Sequence, residues 1–65
     1  MPSVRAEFYI KLLTDPNPNV RQKAAYALGQ IGDQTCLFRL QEALTREQDA
    51  DVQKVIQEAR AKLEA

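Results

Sequence analysis

Apolar residues recur along the chain with the 3.6-residue period of an α-helix, in four segments separated by three breaks. None of the four segments shows the two-residue alternation that is typical of a β-strand. The breaks fall at the proline-bearing turn 14–19, at the glycines and aspartate of 29–33, and in the polar stretch 45–51. The pattern predicts an all-α chain of four helices, for which the candidate N-caps are Ser3, Asp33 and Asp51.

The expected buried stripes repeat along the chain. They consist of Val4, Phe8, Tyr9, Leu12 and Leu13 in the first segment, Val20, Ala24, Ala27, Leu28 and Ile31 in the second, Leu37, Leu40 and Leu44 with Cys36 and Ala43 in the third, and Val52, Val55, Ile56, Ala59 and Leu63 in the fourth. The first stripe aligns with the third at a shift of 31 residues, and the second aligns with the fourth at a shift of 32. A helix pair that repeats at about 30 residues indicates an α-solenoid.

The stretch from Asp15 to Asp33 carries the most specific pattern. It contains an Asp-Pro loop, a Val-Arg pair, an alanine-rich helix and then Leu-Gly-Gln-Ile-Gly-Asp. This stretch resembles the HEAT-like repeat of the phycobilisome lyase group, and the leucines and alanine of 37–44 resemble its following helix. The resemblance implies an α-solenoid fragment, a single domain 1–65 of two HEAT-like repeats at about 3–32 and 33–64.

The resemblance also implies structural roles for several loop residues. In that family the arginine after the valine reaches loop carboxylates of adjacent repeats, so Arg21 is expected to pair with Asp15 or Asp33. Gly29 and Gly32 are both expected to permit the tight reversal between repeats, because glycine adopts positive φ without steric cost.

The two ends of the stack differ in polarity. In the last helix Gln57 and Arg60 take positions that are apolar in the second helix, which predicts a solvated capping face. Val4, Phe8 and Ile10 supply more apolar positions than one neighbouring helix can cover. The N-terminal face is therefore expected to continue a longer solenoid or to contact another protein.

Charge and composition exclude several classes of function. Lys plus Arg and Asp plus Glu both number 9, so the formal net charge is zero, which argues against binding to nucleic acid or to an anionic membrane. Residues 1–32 carry +2 and residues 33–65 carry −2, a weak bias towards head-to-tail association. With no histidine, one cysteine and no long apolar run, we expect no enzyme activity, no cofactor, no metal and no membrane span, and a cytoplasmic location.

Two further candidates have ordinary structural interpretations. Cys36, expected in the first turn of the third helix, is either a reactive or bilin-accepting thiol or a small buried side chain, and we favour the buried one. The acidic cluster Glu47, Asp49 and Asp51 lacks the regular spacing and the glycine of a calcium loop. We interpret it as solvated charge near a helix start.

Four residues are candidates for contact with a partner. Tyr26 is expected either to anchor an interface, as tyrosine often does, or to pack against the third helix. Phe38 and Phe8 are expected either to form an exposed apolar ridge or to fold over the intervening loop. Lys23 is either part of a partner surface or an ordinary solvated lysine.

These observations favour a non-catalytic module that binds another protein or a second copy of itself, through the helices bearing Tyr26 or through the N-terminal edge. The alternative implied by the resemblance is an accessory subunit or chaperone in bilin attachment or phycobilisome turnover. Two repeats are expected to be too few to enclose a drug-sized ligand. Nucleic-acid binding is the third and least supported interpretation.

Overall fold

The computed structural model describes residues 2–65, and throughout that range the ordered elements are helices. Four α-helices follow one another through short connections, and a 3-10 turn over Gln34–Cys36 precedes the third. The helices are α1 (Val4–Leu12), α2 (Pro18–Ile31), α3 (Leu37–Arg46) and α4 (Ala50–Glu64). No strand occurs within residues 2–65, so the all-α prediction is confirmed.

The starts of α1, α2, α4 and the 3-10 turn are each fixed by a side chain that accepts a backbone N–H, whereas α3 follows the 3-10 turn directly and has no side-chain cap. The Ser3 hydroxyl accepts from the Ala6 N–H at 3.1 Å, as predicted for α1. Asn17 caps α2, and Pro18 opens that helix instead of extending the turn, because its fixed φ suits a first helical position. Asp33 caps the 3-10 turn.

The prediction that Asp51 caps the last helix is wrong. Asp49 is the N-cap, and its carboxylate accepts the backbone N–H groups of Asp51 and Val52 at 2.9 and 3.1 Å. Asp51 lies in the first turn of α4, where a negative charge is favoured by the helix dipole.

The helices form two hairpins, α1–α2 and α3–α4, which stack mainly through α2 against α4. Helices α1 and α3 contact each other little, so the hairpins diverge on that side and the α2/α4 side is concave. The core is shared by all four helices and by the 3-10 turn. It comprises Ala6, Ile10, Leu13, Ala24, Ala25, Leu28, Cys36, Leu40, Ala43, Val52, Ile56, Ala59 and Leu63.

The buried face of α1 differs from the predicted one. Val4 is 89% exposed and Phe8 is 59% exposed, whereas Ile10 belongs to the core. The helix has apolar residues nearly all round, so only packing against α2 selects which of them are covered. The expectation that Val4, Phe8 and Ile10 cannot all be covered by one neighbouring helix agrees with the exposure of Val4 and Phe8. It is wrong for Ile10, which α2 and the core cover.

The register of α1 against α3 is 30 residues and not 31. The N-caps Ser3 and Asp33 are 30 positions apart. Three pairs of buried residues, with one member in or next to α1 and the other in or next to α3, have the same spacing. Those pairs are Ala6 with Cys36, Ile10 with Leu40, and Leu13 with Ala43. In this register Phe8 and Phe38 occupy equivalent positions.

The two glycines have different roles, contrary to the prediction that both shape the reversal. Gly32 has φ of 73° and ends α2, with its N–H donating to the Leu28 carbonyl at 3.2 Å. Gly29 is an ordinary helical residue, and its missing side chain allows α2 to approach α4 closely. A Cβ at position 29 would lie 3.0 Å from the Cα of Ala59.

Candidate functional site

Tyr26 lies on the concave side and is held in place although it is 57% exposed. Its hydroxyl accepts a hydrogen bond from Gln30 Nε2 at 2.8 Å, one helical turn further along α2. The Nζ atom of Lys62, from α4, lies 5.5 Å from the centre of the tyrosine ring and donates to Gln30 Oε1 at 3.3 Å. Tyr26 therefore packs beside α4 and not against α3, the packing alternative that the sequence had suggested.

Two shallow depressions meet at Tyr26 and Val55 and together form the α2/α4 groove. One is lined by Tyr26, Gly29, Val55, Glu58, Ala59 and Lys62, and the other by Asn19, Gln22, Lys23, Tyr26 and Val55. The groove thus combines an aromatic ring and an aliphatic side chain with charged groups at its rim. An apolar centre surrounded by polar groups is common in protein–protein interfaces.

The structure brings together two of the four residues proposed to contact a partner. Tyr26 and Lys23 line the same groove, whereas Phe8 and Phe38 lie on α1 and α3. Phe38 is 68% exposed. Phe8 makes an edge-on contact with the adjacent Tyr9 ring, at a centroid distance of 5.2 Å.

Sequence reasoning missed the α4 side of the groove, namely Val55, Glu58 and Lys62. Val55 was assigned to a buried stripe, and it does pack partly against the core. The signal that could have found this side is the 32-residue shift, which pairs Glu58 with Tyr26 and Lys62 with Gln30. The shift alone does not say that the two helices present these positions to one groove.

Arg21, near the start of α2, joins the loop between α1 and α2 to the loop between α3 and α4. Its Nε and Nη2 atoms donate to Glu47 Oε1 and Oε2 at 2.9 and 3.0 Å, a bidentate pair. Its Nη1 donates to the backbone carbonyls of Asp15 and Pro16 at 2.8 and 3.0 Å. The Glu47 side chain is only 5% exposed. The interpretation of Glu47 as solvated charge is therefore wrong.

The electrostatics of this pair follow from its geometry. The hydrogen bonds from Arg21 lower the pKa of Glu47 below its ordinary value, and burial opposes that shift. The same contact raises the pKa of Arg21 further above its ordinary value. Both groups are therefore charged near neutral pH, and the pair clamps the first hairpin to the second.

The predicted partners of Arg21 need correction. Asp15 contributes its backbone carbonyl, while its carboxylate accepts the N–H of Asn17 at 2.9 Å. Asp33 lies at the other end of the helices, where it accepts from Thr35 and from the Ser3 N–H at 3.1 Å. These hydrogen bonds lower the pKa of Asp33, and the bond from the Thr35 hydroxyl has the largest effect. Asp33 therefore links the N-termini of the two hairpins.

Cys36 is fully buried and lies in the 3-10 turn before α3, not in the first turn of that helix. Burial raises the pKa of its thiol, and the nearby negative charge of Asp33 raises the pKa further. A protonated and covered thiol is a poor nucleophile. The geometry agrees with the interpretation of Cys36 as a small core side chain.

Residues 2–65 contain no group of three or more side chains suited to hold a metal ion. Over the same range, every helix is too short or too polar to cross a lipid bilayer. The α2/α4 groove combines exposed apolar area with ordered polar groups.

The family profile of HEAT repeats matches residues 3–61 of the chain. The chain therefore belongs to the HEAT-repeat family, as its stacked hairpins indicate. The profile is that of HEAT repeats in general, so the narrower resemblance to the phycobilisome lyase group stays a prediction.

The chain is also similar to a bacterial protein, described as an uncharacterized protein in the gldA 3′ region of Geobacillus stearothermophilus. The two are 50% identical over 48 residues, which cover 72% of this chain and 22% of the relative. The match thus spans about a fifth of the relative's length. No solved structure matches the chain.

Proposed function

We propose that the chain is a non-catalytic protein-binding module and that its α2/α4 groove receives a segment of the partner. One observation carries this proposal: Tyr26 is 57% exposed, yet its hydroxyl and ring are both engaged by neighbouring side chains. An aromatic side chain that is already ordered loses little conformational entropy when a partner covers it. Tyrosines of this kind are enriched among the residues that dominate binding energy.

The lining of the groove indicates the chemistry of the segment. Val55 and the face of Tyr26 offer apolar contact to one aliphatic or aromatic side chain. Lys62 and Glu58 line one of the two depressions, and Lys23 lines the other. The excess of positive charge favours a segment in which the apolar side chain is accompanied by a carboxylate, especially at low ionic strength.

The test compares Tyr26→Ala with Phe38→Ala, which removes a similarly exposed ring from the outer helix α3. Each variant and the unaltered chain are immobilised at equal density, and the captured proteins from the source cells are quantified by mass spectrometry. A genuine partner is retained by the unaltered chain and by Phe38→Ala, and is reduced at least roughly tenfold by Tyr26→Ala, which corresponds to a hot-spot residue. Helical circular dichroism must be the same for all three.

Two outcomes would count against the groove. If Phe38→Ala loses the same proteins as Tyr26→Ala, contact is made by exposed aromatic rings in general. If neither substitution changes what is captured, the groove takes no part in binding. Loss of helicity in Tyr26→Ala would instead identify Tyr26 as a core residue.

The narrower role in bilin attachment or phycobilisome turnover has less support. The two depressions have volumes of about 340 and 410 Å³, but both are open to solvent and neither encloses a ligand. The thiol of Cys36 is buried and so cannot accept a bilin without local unfolding. A shifted, stoichiometric bilin spectrum on mixing would support that role against the protein-binding one. A cytoplasmic location is part of the proposal.

A further inference from the structure

Three exposed polar groups of the α2/α4 groove have a hydrogen-bonding or ionic capacity that residues 2–65 leave unused. Lys23 and Glu58 form no ion pair and no side-chain hydrogen bond in that range, where the ion pairs are Arg21–Glu47 and Arg39–Glu42. The Tyr26 hydroxyl accepts from Gln30, but its own proton has no acceptor among the same residues. Lys23, Glu58 and the Tyr26 O–H can therefore all contact a second molecule.

The two charged groups lie on opposite sides of the groove. The 32-residue equivalence places Lys23 of α2 level with Val55 of α4, and Tyr26 level with Glu58. Tyr26 and Val55 line both depressions, whereas Lys23 lines only one of them and Glu58 only the other. Tyr26 and Val55 thus separate a depression that carries a cation from a depression that carries a carboxylate.

Lys62 does not cancel this difference between the two depressions. It lies on the same side as Glu58, but its ammonium group is already engaged by Gln30 Oε1 and by the face of the Tyr26 ring. The charge that this side offers to another molecule is therefore mainly that of Glu58.

A surface of this kind is complementary to its own copy. A two-fold axis in the interface exchanges the two sides of the groove, so Lys23 of each copy meets Glu58 of the other. Both ion pairs then form at once. Because the formal net charge of the chain is zero, two copies do not repel each other at long range.

We propose that the α2/α4 groove receives a second copy of this chain, in a symmetric dimer joined by two Lys23–Glu58 pairs. The Tyr26 ring of each copy enters the depression of about 340 Å³ that Gly29 and Ala59 of the other copy line. The inference rests on the proposed function, because it uses the same groove and names the occupant. The apolar side chain expected there is Tyr26 of the second copy, and the carboxylate is its Glu58.

The size of the groove limits the affinity. A stable interface buries about 800 Å² per partner, which is roughly a fifth of the 4256 Å² that this chain exposes. The exposed faces of two helices are expected to bury less than that, so the dimer should dissociate at about 100 μM. Sedimentation equilibrium from about 10 μM to 1 mM at low ionic strength should show the average mass rising from monomer towards dimer.

Charge reversal tests which groups face each other. Lys23→Glu sets a carboxylate against each Glu58, and Glu58→Lys sets an ammonium group against each Lys23. Either single variant should therefore self-associate at least roughly tenfold more weakly than the unaltered chain. An equimolar mixture of the two variants should dimerise again, because the two-fold axis then pairs only opposite charges. A chain that carries both substitutions should dimerise for the same reason.

Lys11→Glu is the matched control. It makes the same change of charge at an exposed lysine of the outer helix α1, and it should leave self-association unchanged. Helical circular dichroism must be the same for all variants, and the double variant keeps the test decisive if one single variant loses helicity. An unaltered chain that stays monomeric at 1 mM, or a loss in Lys11→Glu equal to that in Lys23→Glu, would overturn the dimer.

A titration locates the interface. The Glu58→Lys chain is added, unlabelled, to the isotopically labelled Lys23→Glu chain. Shifts of the backbone amides around Tyr26 and Val55 support the proposal. Shifts confined to α1 and α3, or no shifts, would overturn it.

Failure of the dimer can be told apart from failure of the proposed function. A chain that stays monomeric but captures a different protein, which Tyr26→Ala releases, would leave the proposed function standing and overturn only the self-association. A monomeric chain whose captured proteins do not depend on Tyr26 would overturn both.

Discussion

Gly29 of α2 lies directly against Ala59 of α4, with no room between them for a side chain. A Cβ at position 29 would lie 3.0 Å from the Cα and 3.1 Å from the Cβ of Ala59. Because one of these atoms belongs to the backbone, a side chain at position 29 must push α2 away from α4. The absence of a Cβ at Gly29 thus sets the distance between the hairpins.

We therefore expect Gly29→Ala to destabilise the chain. Overpacking of this kind costs about 1–3 kcal/mol, and the gain in helix propensity returns less than about 1 kcal/mol. Urea unfolding followed by circular dichroism measures the difference. The equivalent position on α4, Ala61, is exposed, so Ala61→Gly is the control. Its free energy of unfolding should fall only by the difference in helix propensity between alanine and glycine. A stabilised Gly29→Ala would show that the hairpins are not in close contact there.

Gly32 is expected to be sensitive for a different reason. Nothing lies within 4 Å of a Cβ at this position, but its φ of 73° is unfavourable for residues with side chains. Gly32→Ala should cost roughly 1–2 kcal/mol. Gly32→Asn should cost less than Gly32→Ala, because asparagine tolerates the left-handed region. At Gly29 the asparagine variant should be less stable than the alanine variant, because asparagine is larger and the space beside Ala59 is limited.

Glu47→Gln should lower the free energy of unfolding by about 1–2 kcal/mol at pH 7, as expected for a hydrogen bond between charged groups. The folded pKa of Glu47 lies below its unfolded value of about 4.3, so this stabilisation is present above that pH. It is lost as the pH falls through the folded pKa. Urea unfolding at pH 7, 5 and 3 should show the two proteins converging in acid.

The control for Glu47 is Glu42→Gln. Glu42 is 3.8 Å from Arg39 and its side chain is 45% exposed, so its removal should change stability by less than about 0.5 kcal/mol. A difference between Glu47→Gln and the unaltered chain that is the same at all three pH values would contradict the charged pair.

The thiol of Cys36 should react slowly while the chain is folded. It is fully buried, so a reagent cannot reach it, and its raised pKa lowers the fraction of the thiol that is present as the reactive thiolate. Iodoacetamide labelling at pH 8, followed by intact mass, should be at least roughly tenfold slower in buffer than in urea. Glutathione provides the reference for an unhindered thiol. Equal rates in buffer and in urea would mean that the 3-10 turn opens readily.

Much of the fold could be predicted from the sequence, because helix number depends on local signals. The periodic apolar residues and the three breaks, at the prolines, at Gly32 and in the polar stretch 45–51, define four helices without any knowledge of tertiary contacts. The face of α1 could not be predicted in this way. Its residues Val4, Phe8 and Ile10 are all apolar, and only the position of α2 decides that Ile10 is covered.

The partner of Arg21 illustrates the same limit. Several carboxylates lie in loops, and the sequence does not state which loops share an end of the bundle. The side chain of Glu47 reaches Arg21 because α2 and α4 start at the same end, while Asp33 lies at the opposite end. The α4 side of the groove was missed for the same reason, since it depends on the packing of one helix on another.

The connection between the hairpins consists of Gly32 and the capping residue Asp33, with an ordered turn on its far side. So short a link, tied to Ser3 across the junction, leaves little room for one hairpin to rotate against the other. The α2/α4 groove is therefore preorganised, and the partner segment proposed for it should meet nearly the same shape before and after association. Binding to such a rigid receptor is expected to proceed as a single kinetic phase, without a slow adjustment step.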